Sequence, residues 1–241
     1  MSRGVWGTAV LLAALSAAPA GAADEYRDIF DGKSLDGWVV DGAKEYKDKD
    51  GKLHPNWHVE DGLLITEGRG TSLTHGGLGF LRYDKEVSDF RLKAECRLSP
   101  KGNTGFCIRC RPYDLDKDAT TRPSFVAYEV QFQDDHGKGP DNHCTGSLYR
   151  YVAPTKNAVK PPGEWNTIEI ECVGPHIRVW INGEQVQDVD QSKVDKIKNK
   201  PLRGHVALQS HSNKVEFRNV KLREIAQKLA ETGEFDDPDR P

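Results

Sequence analysis

The run Phe90-Arg91-Leu92-Lys93-Ala94-Glu95-Cys96-Arg97-Leu98 alternates apolar and polar residues without a break. Successive side chains of a strand point to opposite faces, so the run reads as an antiparallel strand with one face in a core and the other in water. The same period recurs along the chain. Ile168 to Cys172 leads through Gly174-Pro175 into Ile177 to Ile181, where Asn182-Gly183 supplies the left-handed geometry of a two-residue hairpin before Gln185-Val186. His205 to Ser210 and Val215 to Ile225 add two strands around a turn at Ser212-Asn213. Short strands with turn signals and no helical crossovers specify an all-β antiparallel β-sandwich, and 241 residues suffice for one such domain or two small ones.

The first 22 residues stand apart. Arg3 is their one charge, Val5 to Ala18 form an apolar run, and Ala20-Gly21-Ala22 is a small-residue cleavage site, as in a secretory signal peptide. The run is broken at Ser16 and Pro19, short of the roughly 20 residues a membrane anchor needs. The expectation is therefore a leader over residues 1–22, a domain over residues 23–225, a frayed tail over residues 226–241, no membrane span, and a secreted or periplasmic location. A net charge of −3 provides no basic field for nucleic acid. Five cysteines allow at most two bridges, and Cys96, Cys110 and Cys172 fall on apolar faces, which predicts buried free thiols. Asp41 to His54 and Asp134 to Thr145, charged and glycine-bearing, read as loops.

On a sheet with one face in the core, the other set of alternate residues reports the surface. In Phe106 to Arg111 that set is Cys107, Arg109 and Arg111; in Ala127 to Asp134 it is Glu129, Gln131 and Gln133; in His205 to His211 it is His205, Gln209 and His211. If these strands are neighbours, a carboxylate, an arginine, amides and a histidine converge, which suits acid-base work on a polyhydroxylated ligand. Each residue also has an ordinary explanation. Glu129 with Arg109 reads equally as a cross-strand ion pair, and Asp134 as the start of a turn.

Phe30-Asp31-Gly32-Lys33-Ser34-Leu35-Asp36-Gly37-Trp38, Asn103-Thr104-Gly105-Phe106, Glu129-Val130-Gln131 with Asp134, Gly146-Ser147-Leu148-Tyr149, Gly163-Glu164-Trp165-Asn166 and Gly204-His205-Val206-Ala207-Leu208-Gln209-Ser210-His211 occur in order along the chain. In these motifs the chain resembles the 3-keto-disaccharide hydrolase domain family from about Phe30 to Ile225. The resemblance implies a concanavalin A-like jelly roll, export, and action on 3-keto-glycosides. The chain departs from the pattern in its long Tyr113 to Ser124 segment and in its His-containing Asp134 to Cys144 loop.

A ketone at C3 of a sugar acidifies the C2 proton, so that a base can remove it and the enolate can expel the glycosidic oxygen at C1; water then adds to the enone. Such chemistry needs a base, a donor for the C3 oxyanion and help for the leaving group. Glu129 or His211 is the candidate base, and Asp134 or the other of that pair assists departure. Arg109 and Gln131 are the oxyanion candidates, with Gln209 and Tyr149 as further substrate contacts. No cofactor is implied. Asp134, Asp135, His136, Asp141 and His143 lack a recognised metal-ligand spacing, so a divalent ion is not called for, though not excluded. Two rivals remain: a retaining glycosidase built on Glu129 and Asp134, and a lectin-like module stacking sugar on Trp57, Tyr149, Tyr151 or Trp180.

Overall fold

The computed structural model describes residues 25–68, 79–114 and 121–226. The expected leader, and the tail beyond residue 226, lie outside them. The chain forms a concanavalin A-like antiparallel sandwich of two large sheets. The eight-stranded sheet runs in the order Glu184–Asp190, His176–Ile181, Trp165–Val173, Phe90–Leu98, Val215–Glu224, Leu63–Thr66 and Trp57–Glu60, with Arg27–Asp28 added against Val215–Glu224. The five-stranded sheet runs Tyr128–Gln133, Asn103–Cys110, His205–Ser210, Gly79–Tyr83 and Trp38–Gly42. No helix among the described residues is long and apolar enough to cross a membrane.

Alternation decides what goes between the sheets. Phe90, Leu92, Ala94, Cys96 and Leu98 are buried while the intervening charges are half-exposed. Tyr128, Val130 and Phe132 of the five-stranded sheet point inward beside Phe106, whose ring meets Phe132 edge-on at 6.2 Å and Phe217 of the opposite sheet at 5.9 Å. Large apolar side chains of this kind contribute about 1.5–3 kcal/mol each when fully buried. All five cysteines are buried free thiols. Burial pushes the thiols of Cys110 and Cys172 up to about 12, so they behave as small apolar fillers.

Two local departures from simple alternation bear on function. Asp41 to His54 is not an open loop: Glu45–Lys47 and Leu53–Pro55 pair as a small hairpin, with Tyr46 stacked on His54 at 5.3 Å. Asp48 builds its turn, accepting from the backbone amides of Asp50 and Lys52 and bonding the His54 ring at 2.8 Å. The second departure is a bulge in the centre of the five-stranded sheet. Arg109 has φ +55°, and the register with the neighbouring strand shifts between His205 and Ala207.

Candidate functional site

The outward face of the five-stranded sheet brings four of the expected residues together. Glu129 lies opposite Cys107, and Gln131 opposite Gly105, on the paired strands Tyr128–Gln133 and Asn103–Cys110. Gln209 and His211 come from the strand on the other side of Asn103–Cys110 and its continuation. These side chains, with Tyr149, line a cavity of about 120 Å³ whose wall is completed by Asn103, Arg122, Ser124, Phe125 and Arg150.

Gly105 makes the cavity possible. A methyl group there would lie 2.3 Å from Glu129 Oε1 and 2.6 Å from its Cγ. A glycine inside a strand costs local stability, and here the missing side chain is the space the carboxylate occupies. Glu129 is 3% exposed. Burial pushes its carboxyl up to about 7, against a partial restoring effect from hydrogen bonds by Ser124 and Gln209 and from the charge of Arg122. With its amide oriented so that both ends are satisfied, Gln131 donates to Glu129 Oε1 at 3.3 Å and to Thr104 O at 3.0 Å. Gln209 is buried and its Oε1 has no partner among the described residues. Burial, and then the charge of Arg122, hold the His211 imidazole below its usual range, which keeps it neutral at neutral pH. Tyr149 is fixed through its backbone amide, which donates to Glu129 O at 2.8 Å, and its ring meets His143 edge-on at 5.1 Å.

Arg109 and Asp134 stand elsewhere. The positive φ turns the Arg109 side chain off the polar face, so it is fully buried and donates to Gly174 O at 2.7 Å, Ser88 O at 3.3 Å and Gln191 Oε1 at 3.4 Å. His205 begins the strand that Gln209 nearly ends and so stands away from the pocket: its Nδ1 bonds Tyr83 O at 2.9 Å, beside the Arg82–Asp41 ion pair. Asp134 accepts at 2.8 Å from the amide of Lys101, in the turn between Phe90–Leu98 and Asn103–Cys110. Cys107 does share the face of Glu129, whose charge adds to burial in raising its thiol.

Among the described residues two guanidinium groups line the pocket: Arg122, whose charge acts on Glu129 and which precedes the helical turn Pro123–Val126, and Arg150, which lies over the Phe125 ring at 4.5 Å. The Arg122 Nε has no hydrogen-bond partner among the described residues. Gly105 carried a readable signal, a glycine in mid-strand; Arg122 and Ser124 carried none.

Among the described residues no group of three His, Cys, Asp or Glu side chains is placed to hold a metal ion. In the Asp134 to Thr145 loop, buried Asp135 accepts from the amide and hydroxyl of Thr145 and from Asn157, while His136 bonds Val159 O at 2.7 Å. Of the four candidate aromatic platforms, Trp57 is buried against Phe217, Tyr151 is half-buried, and Trp180 is on the opposite sheet under Arg91 at 4.9 Å. A wider groove of about 510 Å³ runs past Trp180, and its carboxylates are already paired: Glu169 with Arg91 and Lys93, Glu95 with Arg218 and Asn219.

The profile of the 3-keto-alpha-glucoside-1,2-lyase-like domain matches residues 25–223. The chain belongs to that family. It is 26% identical over 235 residues to a 3-keto-disaccharide hydrolase of Bacteroides thetaiotaomicron, covering 83% of this chain and 79% of that one. Two solved structures from Parabacteroides distasonis that carry the name glycosyl hydrolase share the fold. One has a TM-score of 0.66 at 23% identity, covering 83% of this chain and 94% of that one. The other has a TM-score of 0.62 at 24% identity, covering 84% and 100%. A carbohydrate hydrolase family thus carries the fold described above.

Proposed function

We propose that this chain is an exported enzyme that cleaves 3-keto-glycosides by elimination and hydration, with Glu129 as the base. The observation that carries the reading is Glu129, the one carboxylate lining the pocket among the described residues, buried so that its carboxyl is pushed up to about 7. A base whose pKa is near the working pH is both available as the anion and strong enough to remove a proton made acidic by a neighbouring ketone.

The steps follow from the groups in the cavity. The Glu129 carboxylate takes the C2 proton, and the electron pair moves to the C3 oxygen, where the charge of Arg122 and the amide of Gln209 stabilise the developing oxyanion, while Gln131 orients Glu129. The enolate then expels the C1 oxygen, which receives the proton now held by Glu129. Water adds to C1 of the enone as neutral His211 accepts its proton, and that proton returns to C2. Glu129 and His211 end as they began. Tyr149 borders the sugar, and Asp134 and Arg109 have no direct part.

The retaining-glycosidase reading needs a second carboxylate about 5–5.5 Å from the first. Glu129 is the one carboxylate lining the pocket among the described residues, which favours elimination. Export rests on the leader-like residues 1–22, and the substrate is a small carbohydrate rather than a nucleic acid or a membrane lipid. Purified mature protein incubated with 3-keto-trehalose, 3-keto-lactose and their unoxidised counterparts, with and without chelator, tests the reading. Cleavage of the keto sugars alone supports it. Equal cleavage of both contradicts it, and binding of both without turnover places the protein among lectins.

A further inference from the structure

The segment that carries Arg122 and Ser124 is one helical turn, too short to hold itself in place. Its last carbonyls are the groups a helix leaves without intrahelical partners. Here the ammonium of Lys200 fills them, donating to Phe125 O at 2.6 Å and to Ala127 O. The ammonium reaches those carbonyls between the rings of Tyr151, 4.5 Å away, and Tyr128, 5.5 Å away. No carboxylate among the described residues lies within ion-pair distance of it. The Lys200 head is thus half-withdrawn from water, held by two carbonyls against two aromatic rings, and burial lowers its pKa to about 8.

Its own anchor is equally specific. The loop Val194 to Lys200 is folded by backbone bonds from Ile197 and Lys198 to Val194 O and from Lys200 to Ile197 O. Gln191, 1% exposed, donates to Ile197 O and to Lys200 O at 2.9 Å and accepts from Arg109. A continuous series of contacts therefore runs from Arg109 through Gln191 to Lys200, and from Lys200 to the turn whose Ser124 and Arg122 face Glu129.

We propose that Lys200 is a positioning residue of the pocket, clamping the Pro123–Val126 turn from outside so that Ser124 and Arg122 are held toward the Glu129 carboxylate. Arg109 acts on the pocket through the same loop, without touching it. The proposal rests on Glu129 being the base only for its effect on turnover; its structural content is the environment of Glu129. The groups that border Glu129 are Cys107 on the paired strand, Gln131 on its own strand, Gln209 and His211 on the next, Tyr149 and Arg150 on the following loop, and Ser124 and Arg122 on the clamped turn. Only the last pair depends on Lys200.

The test compares Lys200→Met, which keeps the stem and loses the ammonium, with Lys200→Arg, which restores a donor cation. Carbon-13 NMR follows the titration of the Glu129 carboxyl in each, with Glu129→Gln assigning the signal. Losing one charge-assisted hydrogen bond and the nearby cation should move the Glu129 titration upward by about one unit in Lys200→Met, and Lys200→Arg should return it toward wild type. The acidic limb of the rate profile should move with it, while KM changes less than kcat. An unchanged Glu129 titration in folded Lys200→Met, whatever its melting temperature, overturns the proposal. Should Lys200→Met fail to fold, Lys200→Gln takes its place with the same two readings. If Glu129→Gln retains wild-type turnover, the base assignment falls, while the carboxyl titration still decides the role of Lys200.

Discussion

The outward faces of the two sheets are both crowded with charged and polar side chains, yet only one of them holds a pocket whose carboxylate is buried without a salt bridge among the described residues. On the eight-stranded sheet every acid that borders the larger groove has a base: Arg91 and Lys93 flank Glu169, and Arg218 pairs with Glu95. Trp165 is sandwiched between the guanidinium groups of Arg97 and Arg218, at 4.7 and 4.0 Å. These groups are half-exposed and mutually neutralised, and such pairs are worth about 1 kcal/mol or less each. On the five-stranded sheet the cavity is about a quarter the size, and among the described residues its carboxylate is buried with amides, a hydroxyl and the charge of Arg122, with no salt bridge. The volume of a groove says little. What distinguishes a reactive face is a charge removed from water without being neutralised.

The largest expected effect breaks that contrast at its centre. Glu129→Gln keeps shape and hydrogen bonding but cannot accept a proton, so turnover of a 3-keto-glycoside should fall by about 10²–10⁴-fold. Stability should move the other way. Burial raises the folded-state carboxyl from 4.5 to about 7, so protonated Glu129 is the favoured form in the fold. Its contribution is fully present below 4.5 and is lost as pH rises from there to 7, by about 3 kcal/mol. Urea unfolding should find the variant more stable than wild type at about pH 8.5, with the gap closing at about pH 4. A gap independent of pH would show that Glu129 is not strained by burial.

The two arginines provide a second contrast. Arg122→Ala removes a cation from the pocket and should cost about 100-fold in turnover with little loss of stability. Arg109→Ala leaves Gly174 O, Ser88 O and Gln191 without their donor in a buried site, and should cost about 3 kcal/mol in unfolding free energy before any effect on binding is seen. Denaturant melts and steady-state rates on both variants separate the roles. The reverse pattern would restore Arg109 to the pocket.

That contrast also marks how far the residues alone could be read. Where nothing interrupts the period of two, parity was sufficient: Phe90 to Leu98 bury every second residue, and Glu129, Gln131, Gln209 and His211 share one face. The turn at Asn182-Gly183 likewise shows the left-handed backbone that its residues announce, φ +53° and +81°. Parity fails at Arg109 because a bulge, with no glycine or asparagine to signal it, rotates that side chain inward, while His205 keeps its parity but begins the strand that Gln209 nearly ends. Asp134 follows its strand, and its carboxylate accepts from the amide of Lys101 in a turn distant in sequence, so its place is set by a tertiary contact. Arg122 and Lys200 sit in segments with no period at all, and their positions are set by tertiary contacts.

The smallest effect belongs to the outer face. Glu169→Gln removes half of an exposed ion-pair network and should change stability by less than about 1 kcal/mol and leave turnover at wild-type level. A large loss of activity would move the functional site to the Trp180 groove.

The account stands most directly on the fate of one hydrogen. Wild-type enzyme turning over a 3-keto-glycoside in D2O should place deuterium at C2 of the released keto sugar, as mass spectrometry and proton NMR would read it, and Glu129→Gln should place none above the uncatalysed background. A product that keeps its C2 proton in full would contradict both the elimination route and the role of Glu129.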